Sequence, residues 1–415
     1  MRIFGRNFIK LKLTQYNDPI YGFIAIPTPL IGKLVNHPFV QRLRRIKQMG
    51  LSFLVFPSAE HTRFQHALGA MHLATKTVQA LRQQQIEISD TEAEALYVCM
   101  LLHDLGHGPF SHALEHVLFP KNTHEDMSIA LMKKLNVEFD GKLDLAIEMF
   151  TNTYSRIFFN QLIASHIDLD RLDYLKRDSF YSGVTEGNIN SERLISMMMV
   201  QDNRLVFNTK AVYSIEKFLL ARRMMYWSVY LHKTSFVAEE LLVRFFKRAL
   251  ALIQSGKEVI VSSSLAYFLH HIDGAIDKKI DSFVRLDDAD VWMMLKSACT
   301  NDDVVLSTLA KMLLDRKFPK IKLAYEPFSE NQIKERQLAI SSKYGLSKAE
   351  ATYFVFSESL EIQGYIQKGN PIQLCNQNGE CSLFDTSPDT IHVHSLTKKD
   401  TKYFLAYPKG DGYFS

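Results

Sequence analysis

The segment LLHDLGHGPFSH, residues 101–112, restricts the fold more than any other stretch of the chain. It closes the run TEAEALYVCMLLHD (91–104), which reads as a helix with a threonine N-cap candidate, early glutamates that complement the helix dipole, and a dense apolar face. Leu101 and Leu102 carry that helix into a core, so His103 and Asp104 arrive at its buried end. Two ionisable groups buried without partners would cost several kcal/mol. For the doublet alone, a helix-terminal ion pair is the plainer reading; in its wider setting a divalent cation is the better partner. Imidazole plus carboxylate suits Mn²⁺, Fe²⁺, Zn²⁺ or Co²⁺. Neighbouring residues point about 100° apart on a helix, so further ligands must come from other helices. His66, in HTRFQHALG, and an aspartate of IDLDRLDY are the donors on offer. Eight of the 15 histidines fall between His61 and His124, interleaved with Asp104, Glu115 and Glu125, a clustering that isolated core histidines would not produce.

Most of the remaining chain keeps the helical period. Residues 9–27 read as a hairpin turning at NDP, and VQDNRLVF suggests another at 202–203. Helices are predicted over 64–85, 125–135, 142–151, 155–180, 191–199, 209–255 and 286–315. Near residue 317 the pattern changes: KLAYEPF, a helix at 329–343, then TYFVFSESLEI, PIQLC, ECSLF, TIHVHSL and KYFLAYP, separated by turns. The expected class is mainly α, a helical core over 1–320 with small β-hairpins, followed by a smaller α+β region over 321–415. Cys375 and Cys381 flank Asn378-Gly379; a two-residue turn there would set Cys375 opposite Ser382, so both read as reduced strand cysteines.

Four cysteines in 415 residues do not make a disulfide framework, and a reduced, cytoplasmic setting is expected. No apolar run approaches the roughly 18 residues a membrane span needs, and MRIFGRNFIKLKL lacks the apolar block of a signal peptide. A net charge of +4 leaves any anionic ligand to local clusters such as Arg42, Arg44, Arg45 and Lys47, which read equally well as a solvated helix face.

His66, His103-Asp104 and Asp170 together resemble the H…HD…D signature of the HD-domain metal-dependent phosphohydrolases. Seven blocks in order, NDPIYG (17–22), QRLRRIKQMG (41–50), FPSAEHTRFQHALG (56–69), HDLGHGPFSH (103–112), THED (123–126), IDLDRLDYLKRD (167–178) and ARRMMYWSVYLHK (221–233), are similar to the sterile-alpha-motif and HD-domain-containing dNTP triphosphohydrolases and their bacterial relatives. The sterile-alpha-motif domain itself has no counterpart in this sequence. The resemblance covers residues 14–250 and implies an HD-domain fold and a deoxynucleoside triphosphate substrate.

It further implies that His66, His103, Asp104 and Asp170 hold one divalent transition metal (Mn, Fe, Zn, Ni or Co), with Mg²⁺ arriving on the substrate phosphates. His107, His112 and His124 would form an acid–base group, His112 steadied by Glu115 and His124 paired with Glu125. Arg63, Arg171 and Arg222 would meet the phosphates, since the guanidinium fork binds their oxygens bidentately. Gln48 and Asp178 would hold the 3′-hydroxyl, Tyr174 would crowd the 2′ carbon, and Tyr230 would lie by the base and sugar. Tyr226 occupies a position where the family has a histidine. Gln41 and Arg44 match part of an activator-nucleotide site, whereas Asn36 replaces its acidic residue and Thr14 its lysine. A homo-oligomer, dimer or tetramer, is expected by the same analogy. Two other readings stay open: another HD phosphohydrolase (nucleotidase, phosphodiesterase or nuclease), and a non-catalytic nucleotide or single-strand nucleic-acid module using RLRRIK.

Overall fold

Side-chain caps set where the helices begin, in a computed structural model that describes residues 14–272, 274–363, 365, 371–391 and 396–410. Thr62 and Gln65 form a reciprocal box at the start of α1 (Arg63–Gln83), and Ser89 and Glu92 do the same for α2 (Asp90–Leu102), one residue before the expected start. Thr123 caps α3 (His124–Glu138), and Asp168 caps α4 (Leu169–Ser182) by accepting the Arg171 N–H. The Asp168 cap is why the helix expected over 155–180 is two: Ile157–Ile163 ends, the chain turns, and α4 starts afresh. Likewise the 209–255 stretch divides into α5 (Val212–Met225), a π turn at Tyr226–Tyr230, and α6 (Lys233–Gln254) capped by His232. Two short helices, Ser263–His270 and Ile276–Phe283, lie in a stretch the sequence pattern left unassigned. Then come α7 (Asp288–Ala298), α8 (Val304–Leu314) and α9 (Glu330–Tyr344).

The strands are short. β1 (Gln15–Asp18) and β2 (Gly22–Ala25) make the first hairpin, whose expected residues 9–13 lie outside the described ones. β3 (Met198–Gln201) and β4 (Arg204–Asn208) turn through Asp202 and Asn203, both at positive φ, as the DN pair suggested. β5 (Lys320–Ala324), β6 (Phe356–Gln363) and β9 (Lys399–Tyr407) form a second sheet in the order β5–β9–β6. β7 (Gln373–Cys375) runs parallel to β4, and β8 (Cys381–Leu383) closes that sheet. Of TIHVHSL, residues 392–395 lie outside the described ones.

The two hairpin cysteines correct an expectation. Cys375 pairs with Cys381, not Ser382, and the two are bonded in a disulfide. The connection is a five-residue loop, not a two-residue turn: Asn376 N–H donates to Glu380 O, and Asn376 Oδ1 accepts from Asn378 and Glu380. That length shifts the register by one residue.

The architecture is the mainly helical one expected. A single apolar cluster runs from Ile24 to Ala406, and α1 packs against both α2 and α4. Gly69 lets α1 and α4 touch: a β-carbon there would lie 2.0 Å from Asp173 Oδ1. Among the described residues no helix is long and apolar enough to cross a membrane.

Candidate active site

Three helix ends bring together a compact set of nitrogen and oxygen ligands. His66 stands one turn into α1, His103 and Asp104 follow the last turn of α2, and Asp170 is in the first turn of α4. His66 Nε2 lies 3.2 Å from His103 Nε2 and 3.1 Å from Asp170 Oδ1. His103 Nε2 lies 3.5 Å from both Asp170 Oδ1 and Asp104 Oδ1, and Asp104 Oδ2 is 3.5 Å from His66 Nε2. Ligands bound about 2.0–2.2 Å from one ion stand about 3.0–3.5 Å from each other.

The donor chemistry points the same way. His66 Nδ1 donates to Asp173 Oδ2 at 2.8 Å, and His103 Nδ1 donates to Met100 O at 3.0 Å. A neutral imidazole so held turns a bare lone pair inward at Nε2. Two such lone pairs facing one another at 3.2 Å repel unless a proton or a metal ion lies between them. Burial alone would discharge His66, yet Asp170 and Asp173 outweigh it and push its pKa up to about 10. Burial likewise opposes charge on Asp104, but Arg63 and the surrounding histidines keep it ionised well below the usual carboxylate range. An anionic nest that would otherwise hold protons is one in which a divalent cation can displace them. The residues present therefore fit a metal ion.

Beside this nest stands a second group. Glu115 Oε2 accepts His112 Nδ1 at 2.9 Å and Glu115 Oε1 accepts His124 Nδ1 at 2.7 Å. This corrects the expected His124–Glu125 pair: Glu125 is exposed, and the carboxylate on His124 is Glu115. Burial raises the Glu115 pKa, but its two histidine hydrogen bonds prevail and hold it well below the usual range. His107 is buried between the two groups, its Nδ1 3.3 Å from Asp104 Oδ1 and its Nε2 3.4 Å from His112 Nε2. Burial and the Arg63 charge keep it neutral, far below the ordinary imidazole pKa.

A cavity of about 500 Å³ joins the two groups to a third. Asp178, buried, accepts Tyr230 Oη at 2.7 Å, and its other oxygen meets His61 Nε2 at 2.7 Å. Gln48, Tyr174 and Tyr226 share this wall. Two buried polar atoms of the lining, Gln48 Oε1 and Arg171 Nε, have no partner among the described residues. Arg63 also lines the cavity, with its guanidinium on Asp104 and on Ser111 Oγ, and Arg171 Nη1 lies on Asp168 and Ser165 O. Arg222 is not part of the lining; it stands 5.9 Å from the Tyr226 ring.

The proposed activator residues form a separate local group: Arg44 Nε donates to Gln41 Oε1 at 2.9 Å, while Asn36 Nδ2 donates to Gly32 O within its own helix. The basic run is only partly a solvated stripe, since Arg44 and Arg45 are exposed and Arg42 is buried. Arg42 is buried on three main-chain carbonyls, Arg44 lies over Phe64, Arg45 pairs with Asp287 and Lys47 with Glu60.

Several site residues escaped the sequence reading. Asp173, which holds His66, is itself held by Arg177, and Arg177 by Asp18. Its signal was present: Asp173 lies one turn after Asp170 in IDLDRLDY, on the same helical face. His61 behind Asp178 has no such local cue.

A helical bundle that gathers two histidines and two aspartates beside a histidine–carboxylate group is a site that a divalent metal ion fits. Residues 63–178 match the HD domain family and residues 189–349 the HD associated region. A solved phosphohydrolase from Bacteroides thetaiotaomicron is 43% identical, with a TM-score of 0.92 over 96% of this chain and 100% of its own. The uncharacterized protein YwfO of Bacillus subtilis is 29% identical over 95% of this chain and 92% of its own length. The deoxynucleoside triphosphate triphosphohydrolase SAMHD1 homolog of Dictyostelium discoideum is 31% identical over 56% of this chain, which spans 49% of that relative. The chain belongs to the HD-domain phosphohydrolases.

Proposed function

We propose that the chain is a deoxynucleoside triphosphate triphosphohydrolase, cleaving between the α-phosphorus and the 5′-oxygen to release deoxynucleoside and triphosphate. The observation that carries this reading is the single cavity that joins Asp104 and Asp170, the open side of the metal nest, to the Gln48–Asp178–Tyr230 wall, with an unpartnered acceptor and an unpartnered donor in its lining. A monophosphate or a simple ester would leave one end of it idle.

His66, His103, Asp104 and Asp170 would hold the cation, whose chemistry there would be to polarise a phosphoryl oxygen and to acidify a nearby water. Arg171 Nε and the Arg63 guanidinium face the phosphates from the cavity wall. By taking both Nδ1–H groups, Glu115 presents Nε2 of His112 and of His124 to the substrate. As water oxygen bonds to the α-phosphorus and releases a proton to solvent, the phosphorus–oxygen bond to the sugar breaks, and one of these imidazoles, in its protonated form, gives its proton to the departing 5′-oxygen. Gln48 and the Asp178–Tyr230 pair hold the 3′-hydroxyl. The Tyr174 ring, 6.2 Å from that of Tyr230, occupies the space a 2′-hydroxyl would need. Mg²⁺ on the phosphates, an activating nucleotide at Gln41 and Arg44, a dimer or tetramer, and a cytoplasmic setting complete the proposal.

The test is product analysis across dNTPs, NTPs, monophosphates and cyclic dinucleotides with Mn²⁺ or Mg²⁺, with and without added activator nucleotides. Triphosphate and deoxynucleoside from dNTPs alone are expected. Intact dNTPs under every condition, or equal turnover of ribonucleotides, would overturn the reading.

A further inference from the structure

The loop between α2 and α3 carries His107 and His112, and its backbone is not one these residues adopt unaided. Phe110 and Ser111 both have left-handed φ, 54° and 57°, without a glycine between them. Consecutive non-glycine residues in that region persist only where surrounding contacts over-determine them. The contacts come largely from outside the HD match. Asp288, the first residue of α7 and only 5% exposed, accepts Phe110 N–H on Oδ1 at 2.8 Å and Lys47 N–H on Oδ2 at 2.9 Å. Two residues earlier, Leu286 O accepts Arg42 Nε at 2.7 Å, and the same guanidinium holds Leu105 O at 3.1 Å and His107 O at 2.6 Å. Trp292, one turn further along α7, packs edge-on to Phe110. Ser111 Oγ closes the circle, donating to Lys47 O and accepting Arg63 Nε, whose guanidinium also holds Asp104.

We propose that Asp288 is a positioning residue for catalysis: through its two main-chain hydrogen bonds, the HD-associated region locks the left-handed turn at Phe110-Ser111 and so aims His112 at the substrate. The inference rests on His112 acting on substrate, as argued above, and it gives the HD-associated region a share in the active site that the H…HD…D ligands alone do not. Asp288 touches none of those ligands, so its loss acts on the loop and not on the metal.

The experiment compares wild type with Asp288→Ala and Asp288→Asn, the latter keeping the volume and one acceptor oxygen. Turnover is measured on a dNTP and on bis(p-nitrophenyl) phosphate, metal content by elemental analysis, and amide exchange peptide by peptide. Misplacing a catalytic group by about an ångström costs about 10²-fold, so Asp288→Ala should lower kcat by about that factor with KM little changed and metal content intact. Asp288→Asn should recover part of the loss. Exchange over 105–114 should quicken about tenfold or more in Asp288→Ala while α1 stays protected. Wild type inert to dNTPs but active on the diester would fault the substrate reading and move the kcat comparison to the diester. Were it inert to both, the exchange result alone would decide. Unchanged kcat, unchanged exchange over 105–114, or loss of metal in either variant would overturn the proposal.

Discussion

Gly69→Ala puts one methyl group where the metal ligand His66 is supported from behind. The added carbon would stand 2.0 Å from Asp173 Oδ1 and 2.3 Å from Arg177 Nη2, against ordinary contact at 3.4 Å and beyond. About 1.4 Å of overlap must therefore be absorbed by two side chains with no exposed surface. Neither can swing away cheaply: Arg177 holds both Asp173 oxygens, at 2.9 and 3.0 Å, and Asp18 at 2.7 Å. Disrupting such a buried ion pair costs about 3–5 kcal/mol. The same displacement loosens the 2.8 Å bond that orients His66, and losing a ligand's outer partner costs about 10–100-fold in metal affinity. Chelator competition with Mn²⁺ and urea denaturation measure both effects. Gly32→Ala is the control: its methyl would meet only Ile26 Cγ2, at 3.6 Å, inside a helix, where alanine is better than glycine by about 1 kcal/mol. Wild-type metal affinity and stability in Gly69→Ala would refute the argument.

Glu115→Gln should lower kcat by about 10²-fold or more, since one residue orients two imidazoles, while elemental analysis finds the metal retained. Tyr174→Ala should admit ribonucleotides, reducing the dNTP-over-NTP ratio of kcat/KM by about tenfold or more; an unchanged ratio would favour another HD hydrolase activity. Burial and the neighbouring Glu240 charge push the Glu239 pKa up to about 8. The folded chain therefore binds a proton there that the unfolded chain releases at about pH 4.5, so the stability it contributes is present at low pH and is lost as pH rises through about 8. Melting temperature against pH should fall over that window in wild type and be flatter in Glu239→Gln.

Features made by distant partners could not be read from local sequence, and a few local ones were missed as well. The α1 and α2 bounds follow from apolar period and were predicted to within a residue or two, although α2 is capped by Ser89 and not by the threonine expected. The metal reading came from the order of His66, His103-Asp104 and Asp170 along the chain, since the doublet alone reads as a helix-terminal ion pair. By contrast, the break at Asp168 depends on a side chain capping its own successor, which the continuous apolar pattern of 155–180 concealed. Glu125 looked like the natural companion of His124 because it is adjacent, but adjacent helical residues diverge, and Glu115 reaches the ring from nine residues away. Asp288 lies 178 residues from the loop it holds, and no spacing rule connects them. The register of Cys375 and Cys381 turned on a loop length that the NG pair alone did not fix.

The most direct test is metal-edge anomalous diffraction on the purified chain, with elemental analysis of the same crystals. One transition-metal ion per chain is expected, with its peak about 2.0–2.2 Å from His66 Nε2, His103 Nε2 and the Asp104 and Asp170 carboxylates. A peak on other side chains, or metal-loaded protein with these four groups still bonded only to one another, would contradict the account.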